Sequence, residues 1–128
     1  VTGVQPCALP IYDSHGHAAG DALLVAAAAR LGSVLRPGDF VGRIGGDELL
    51  AVLVGVESLA EAMAQAESLR SAVRHPLAHA SATLAVTMSI GVTLFQPGES
   101  VDALVARADA ALYRAKQAGR DQVIPILP

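Results

Sequence analysis

Arg43-Ile44-Gly45-Gly46-Asp47-Glu48-Leu49-Leu50-Ala51-Val52-Leu53-Val54 joins a pair of glycines to two acids and an unbroken apolar run. Two adjacent glycines accept the positive φ angles of a two-residue type I′ turn, so Gly45-Gly46 reads as a β-hairpin tip. Asp39 to Ile44 is then the entering strand and Asp47 to Val54 the returning one. The apolar run Leu49 to Val54 is short and suits a central strand buried on both faces. Asp47 and Glu48 should stand on opposite faces of that strand, next to a bend bare enough for close approach by a ligand.

Outward from the hairpin, periodicity supplies the other elements. Upstream, Leu23, Leu24, Ala27, Ala28, Leu31, Val34 and Leu35 share one helical face, which predicts a helix from about Ala18 to Leu35, stopped by Pro37-Gly38. Downstream, Ser58-Leu59-Ala60-Glu61 is a capping box. The helix it opens carries Leu59, Ala62, Met63, Ala66, Leu69 and Val73 on one side and ends before Pro76. A loop of open shape follows. Val86, Met88, Ile90, Val92 and Leu94 then alternate with Thr87, Ser89, Gly91 and Thr93, a strand pattern. Ser100 caps a third helix with Val101, Leu104, Val105, Ala108, Leu112 and Ala115 facing inward, and Gly119 ends it. Asp121 to Ile126 is a last strand that Pro125 confines to an edge or a strand end. The order is helix, hairpin, helix, strand, helix, strand: an α+β domain with helices packed on an antiparallel-rich sheet.

Composition limits the function. Apolar residues make up 52% and charged ones 16%, which excludes a disordered chain. The net charge of −3, without a Lys/Arg cluster, gives no footprint for nucleic acid or a membrane surface. No apolar run approaches a membrane span. Cys7 is the only cysteine, so an intrachain disulfide is impossible and a reducing compartment is compatible. His15, His75 and His79 lack metal-ligand spacing, His17 reads as structural, and Ser89 has no nucleophile-elbow context.

Val1 to Ile11, VTGVQPCALPI, stands apart. It has no periodicity, and Pro6 and Pro10 interrupt it. It resembles the translation of a sequencing-adapter oligonucleotide, with Pro6 where the usual translation has Thr. On that reading residues 1–12 are a non-native or irregular leader, with residues 13–128 a partial domain. A natural irregular tail is the alternative.

Four motifs then fall in order: Gly16-His17-Ala18-Ala19-Gly20-Asp21, Gly45-Gly46-Asp47-Glu48, Ser89-Ile90-Gly91, and Ala108-Asp109-Ala110-Ala111-Leu112-Tyr113-Arg114-Ala115-Lys116-Gln117-Ala118-Gly119-Arg120. Together they resemble the GGDEF family of bacterial diguanylate cyclases, over about 110 residues. The resemblance implies a nucleotidyl-cyclase-like fold with a ferredoxin-like core. It also implies condensation of two GTP molecules into cyclic di-GMP, a second messenger, with Mg²⁺ or Mn²⁺ as cofactor and a homodimer of such domains for catalysis. The parent protein is expected to be cytoplasmic, or anchored to a membrane by other regions, and to carry an upstream sensory domain.

The same resemblance assigns residues. Asp47 is the metal ligand and Glu48 supports the catalytic site, with Gly45 and Gly46 letting phosphate approach. Asp21 binds the guanine edge, while Lys116 and Arg120, four apart, contact the triphosphate from one helical face. Arg36-Pro37-Gly38-Asp39 matches the family's inhibitory R-x-x-D site for cyclic di-GMP. Its additional arginine is not evident near Ser68. Each residue also has a plainer reading: solvated turn acids, an acid in a helix first turn, cations at a helix end, and a local Arg–Asp pair.

The departures matter. The family's leading pattern, D-x-D-x-F-K-x-x-N-D, holds a metal-binding Asp, a phosphate-binding Lys and a guanine-binding Asn. Only its final Asp survives here, as Asp13, with Tyr12 at the place of the Asn. The first central strand of the sheet is therefore expected to be missing, the sheet weakened and this chain inactive. Leu49 for the usual Phe predicts looser packing. A degenerate domain that binds GTP or cyclic di-GMP without turnover is the alternative. A class III nucleotide cyclase is disfavoured by the Gly-Gly hairpin.

Overall fold

Along the chain run β1 (Thr2–Ala8), α1 (Tyr12–Val34), β2 (Phe40–Gly45), β3 (Glu48–Val54), α2 (Leu59–Val73), β4 (Leu77–His79), β5 (Ala82–Leu84), β6 (Ser89–Leu94), α3 (Val101–Gln117) and β7 (Val123–Pro125). The structure, a computed structural model, describes the backbone except at residues 1, 9–11, 75–76, 80–81 and 85, and side chains over 20–44, 46–74 and 86–128. The side chains of His15, His17, His75 and His79 lie outside that range.

Among the described residues the main sheet has the order β2-β3-β1-β6-β7. Every neighbour is antiparallel except β7, which runs parallel to β6 at the edge, where Pro125 is tolerated. The hairpin, three helices and last strand thus form as the sequence pattern predicts. The loop after α2 contains a small antiparallel pair, β4 with β5.

The central position is not vacant, which corrects the expected missing strand. Thr2–Ala8 fills it, pairing from Thr2↔Val54 to Ala8↔Glu48 on one side. On the other side it pairs through Gly3↔Leu94, Val4↔Thr93, Cys7↔Ile90 and Ala8↔Ser89, with Pro6, which has no N–H to donate, between the two stretches. The physical reason is that ladder bonds are made by backbone. Two facing strand edges with open N–H and C=O groups accept an extended segment without amphipathic periodicity.

Packing explains several motifs. Leu49, Ala51 and Leu53 are buried and alternate with half-buried Leu50 and Val52, so β3 has one fully buried face rather than the two expected. Residues from Met88 to Thr93 are all buried instead, because α3 and α2 both lie against β6. Gly91 shows how closely. A Cβ there would stand 2.2 Å from Leu112 N and 2.4 Å from Ala108 O. Ser-Ile-Gly and the alanines Ala108, Ala111 and Ala115, all fully buried, are therefore one contact between β6 and α3.

Helix ends follow local chemistry. Ser58 Oγ accepts from Glu61 N at 3.1 Å, while Glu61 reaches Glu57 N at 3.0 Å instead of the cap residue's own N–H. Ser100 Oγ accepts from Ala103 N at 3.1 Å. α3 ends in a Schellman arrangement: Arg120 N donates to Ala115 O at 3.0 Å, Gly119 N to Lys116 O at 3.4 Å, and Gly119 has φ of +116°. α1 starts at Tyr12, six residues before the expected Ala18, because Tyr12-Asp13-Ser14-His15-Gly16-His17 carries no apolar stripe in sequence to mark those first turns.

Candidate active site

The hairpin tip lies one residue beyond its expected place. Arg43 pairs with Leu49, but Gly45 pairs with Glu48, and the register shift between Arg43 and Gly45 leaves Ile44 as the extra residue of a bulge. The two loop residues are thus Gly46 and Asp47. Gly46 has φ of +47°, whereas Asp47 is not left-handed: among described non-glycine residues only Arg120 and Asp121 have positive φ. A positive φ at the first loop position alone fits a II′-like bend rather than the expected I′ turn. Asp47 accordingly sits on the bend itself and Glu48 begins β3, which corrects their placement on opposite faces of one strand.

Two ion pairs tie this tip to the flanking helices. Arg43 Nε donates to Gly46 O at 2.8 Å, and Arg43 Nη2 lies 3.8 Å from Asp21 Oδ1 on α1. On the other side Lys116 Nζ lies 3.7 Å from Glu48 Oε1. Glu48 and Lys116 border a cavity of about 220 Å³ with Asp109, Leu112 and Tyr113. An apolar cavity of about 180 Å³ lies between α1 and the hairpin strands, lined by Leu24, Ala28, Val41 and Leu49 among others. Asp21, Gly46, Asp47, Glu48 and Lys116 therefore gather around one hairpin end. Arg120 does not share a helical face with Lys116, because α3 stops at Gln117 and Arg120 turns away with φ of +63°.

Arg36 and Asp39 form a clasp. Asp39 Oδ2 accepts from Arg36 N at 3.0 Å and Nε at 3.4 Å, and Asp39 Oδ1 accepts from Val54 N at 2.9 Å. Arg36 also donates to Val54 O at 3.1 Å. The Asp39 side chain is only 1% exposed. Burial acts to raise its carboxyl, but the N–H groups of Val54 and Arg36 and the guanidinium outweigh it and hold the pKa below its ordinary value.

Periodicity gave no sign of two arginine networks. Arg107 binds both oxygens of Glu99 at 2.7 Å, Leu94 O at 2.7 Å and Thr93 Oγ1 at 2.7 Å, and Thr93 Oγ1 donates to Ile126 O at 2.8 Å. Arg70 pairs with Glu67 and with Asp121 at 2.6 Å. The only sequence hint was charge adjoining a motif: Arg107 precedes Ala108-Asp109 and Glu99 follows Pro97-Gly98.

The pattern absent from the leader can be located. Counting back from Asp13 puts its first Asp at Val4, its Lys at Leu9 and its Asn at Tyr12. Val4 lies opposite Val52, four strand positions from Glu48, or about 13 Å at the usual rise. Tyr12 and Asp21 are nine residues apart on α1, again about 13 Å.

Asp47 and Glu48 bring hard oxygen donors to one bend beside a phosphate-type cation, Lys116, which suits Mg²⁺ held jointly with phosphate and water. Among the described residues no group of three or more His, Cys, Asp or Glu side chains forms a cage. The fit is to one cation shared with a ligand.

The profile of the family described as "Diguanylate cyclase, GGDEF domain" matches residues 10–122. This chain belongs to the GGDEF domain family. It is 42% identical over 113 residues to diguanylate cyclase DgcP of Pseudomonas aeruginosa, covering 88% of this chain and 17% of DgcP. Among solved structures, diguanylate cyclase SiaD of P. aeruginosa in complex with its activator SiaC superimposes with a TM-score of 0.91 at 35% identity, covering 98% of this chain and 50% of SiaD. The GGDEF domain of DgcB from Caulobacter crescentus in complex with c-di-GMP superimposes with a TM-score of 0.86 at 30% identity, covering 97% of this chain and 77% of that one. The chain spans less than a third of the length of the first curated relatives it matches. Among the described residues no helix is long and apolar enough to cross a membrane.

Proposed function

We propose that this GGDEF domain is built for diguanylate cyclase chemistry, in which two GTP molecules on paired domains become cyclic di-GMP and two pyrophosphates. The observation that carries the reading is the bare Gly46 bend, beside which Glu48 Oε1 lies 3.7 Å from Lys116 Nζ and Arg43, bonded to Gly46 O, lies 3.8 Å from Asp21. In this reading Asp21 accepts hydrogen bonds from guanine. The Gly46 backbone permits close phosphate approach. Lys116 takes phosphate charge, and Asp47 and Glu48 would hold the cation. When bound, Mg²⁺ or Mn²⁺ supplies charge neutralisation at the attacking and leaving oxygens. Arg120, in the turn after α3, would meet phosphate from outside the helix.

One observation favours a second reading for this chain as it stands. Val4, Leu9 and Tyr12 provide neither carboxylate, ammonium nor amide where the family pattern does, which fits nucleotide binding without turnover. At Arg36 and Asp39 the carboxylate is committed to the turn, so we assign Asp39 to the fold and leave to Arg36 any contact with cyclic di-GMP.

Calorimetric titration with GTP and ATP in Mg²⁺ tests the reading. GTP should bind more tightly than ATP, Asp21→Asn should erase that preference, and Lys116→Gln should weaken both nucleotides. Equal binding of GTP and ATP by the parent chain would sink it.

A further inference from the structure

Lys116 is a cation that α3 offers to phosphate at this site, yet its Nζ lies 3.7 Å from Glu48 Oε1. Both side chains are part-exposed, at 27% and 40%, and both border the same cavity of about 220 Å³. Asp109 lines that cavity too, so the surroundings of Lys116 are acidic. A phosphate entering there meets a lysine already claimed by a carboxylate, and must displace that carboxylate while resisting its repulsion. Asp47, adjacent to Glu48 on the bend, offers a second acidic side chain to any cation that Glu48 engages.

We propose that Glu48 and phosphate compete for Lys116, and that a divalent cation on the hairpin acids relieves the competition, so that cation and phosphate bind cooperatively. This rests on the nucleotide reading above and adds to it a specific role for Glu48: it disfavours metal-free phosphate. Coupling of this kind is reciprocal, so phosphate must raise the affinity for the cation by the same factor. A part-exposed ion pair is modest in strength, which sets the size of the effect.

The experiment is calorimetric titration of the intact chain with inorganic pyrophosphate, in EDTA and in Mg²⁺. In EDTA, Glu48→Gln should bind pyrophosphate roughly two- to fivefold more tightly than the parent, the range expected of one such pair. The gain should shrink in saturating Mg²⁺. It should also vanish when Glu48→Gln is combined with Lys116→Gln, the double-mutant test that the effect acts through this pair. Circular dichroism of each variant should match the parent, since both side chains are part-exposed.

Unchanged affinity for Glu48→Gln in EDTA overturns the proposal. So does an equal gain in the Lys116→Gln background, or a gain that Mg²⁺ leaves intact. Guanine plays no part in a pyrophosphate titration. Loss of GTP preference over ATP would thus defeat the nucleotide reading while this cycle stood, and failure of the cycle with that preference intact would defeat only the competition.

Discussion

At the residue scale, Gly91 and Asp39 show side-chain identity dictated by surroundings rather than by reaction. Gly91→Ala would drive a methyl into the α3 backbone at Leu112 N, which cannot rotate aside as a flexible side chain would. The cost should lie at the upper end of the about 1–3 kcal/mol typical of overpacking, read as a lowered thermal midpoint. An unchanged midpoint would mean that α3 is not seated on β6 as described. Asp39→Asn keeps the shape but weakens three accepted hydrogen bonds, so a loss of about 1–3 kcal/mol is expected in urea unfolding. Its pH dependence has a definite sign. The folded-state pKa lies below the unfolded one, so the contribution is complete above the ordinary carboxylate range. It is lost as pH falls through the depressed folded value. Asp39→Asn should therefore flatten the acid limb of stability against pH, and an identical limb in both proteins would contradict the clasp.

At the scale of elements, what could be read from sequence was whatever is decided locally. Ser58 and Ser100 marked their helices because a cap bonds only three residues away, and Gly119 marked a stop because the left-handed region favours it. What could not be read depends on distant partners or on a single extra residue. The bulge at Ile44 moved the bend from Gly45-Gly46 to Gly46-Asp47, and nothing in Arg43-Ile44-Gly45 announces it. Helix period alone carried Arg120 onto α3, although the Schellman end had already turned the chain. The Arg107 network joins residues 93, 94, 99 and 107, with Thr93 linking on to 126, and no periodicity records it. Arg107 hydrogen bonds, together with the Gln96 N–H, hold the Glu99 carboxyl below its ordinary range. Arg107→Met should consequently loosen the α3 entrance and the C-terminal segment together. Hydrogen exchange should quicken at residues 93–104 and at Ile126, whose N–H donates to Val92 O, while α2 is unaffected. Change confined to α3 alone would show that the network does not couple those segments. The Ser100→Ala change, by contrast, should cost about 1 kcal/mol and act on α3 only.

For the whole molecule, the question is whether a sheet completed by Thr2–Ala8 is also a completed active site. Backbone pairing restores the architecture, since β1 bonds to β3 and β6 irrespective of its side chains. Chemistry asks for more. A two-strand metal site needs an acid on β1 level with the hairpin bend, and the residue level with Glu48 is Ala8. Val4, where the family pattern counts its first Asp, stands four positions away. Moving it into place requires an even slide, which keeps each residue on its face but breaks and remakes the ladder on both sides. The 128-residue chain should therefore produce no cyclic di-GMP from GTP with Mg²⁺ or Mn²⁺, measured by chromatography of the reaction. Restoring acid, ammonium and amide as Val4→Asp, Leu9→Lys and Tyr12→Asn should still give none while this register persists, because the new carboxylate would lie about 13 Å from Glu48. Steady product from the parent chain would show that turnover does not need those groups. Product from the triple variant alone would show that β1 slides to the register the chemistry requires, and that strand pairing here yields to a bound cation.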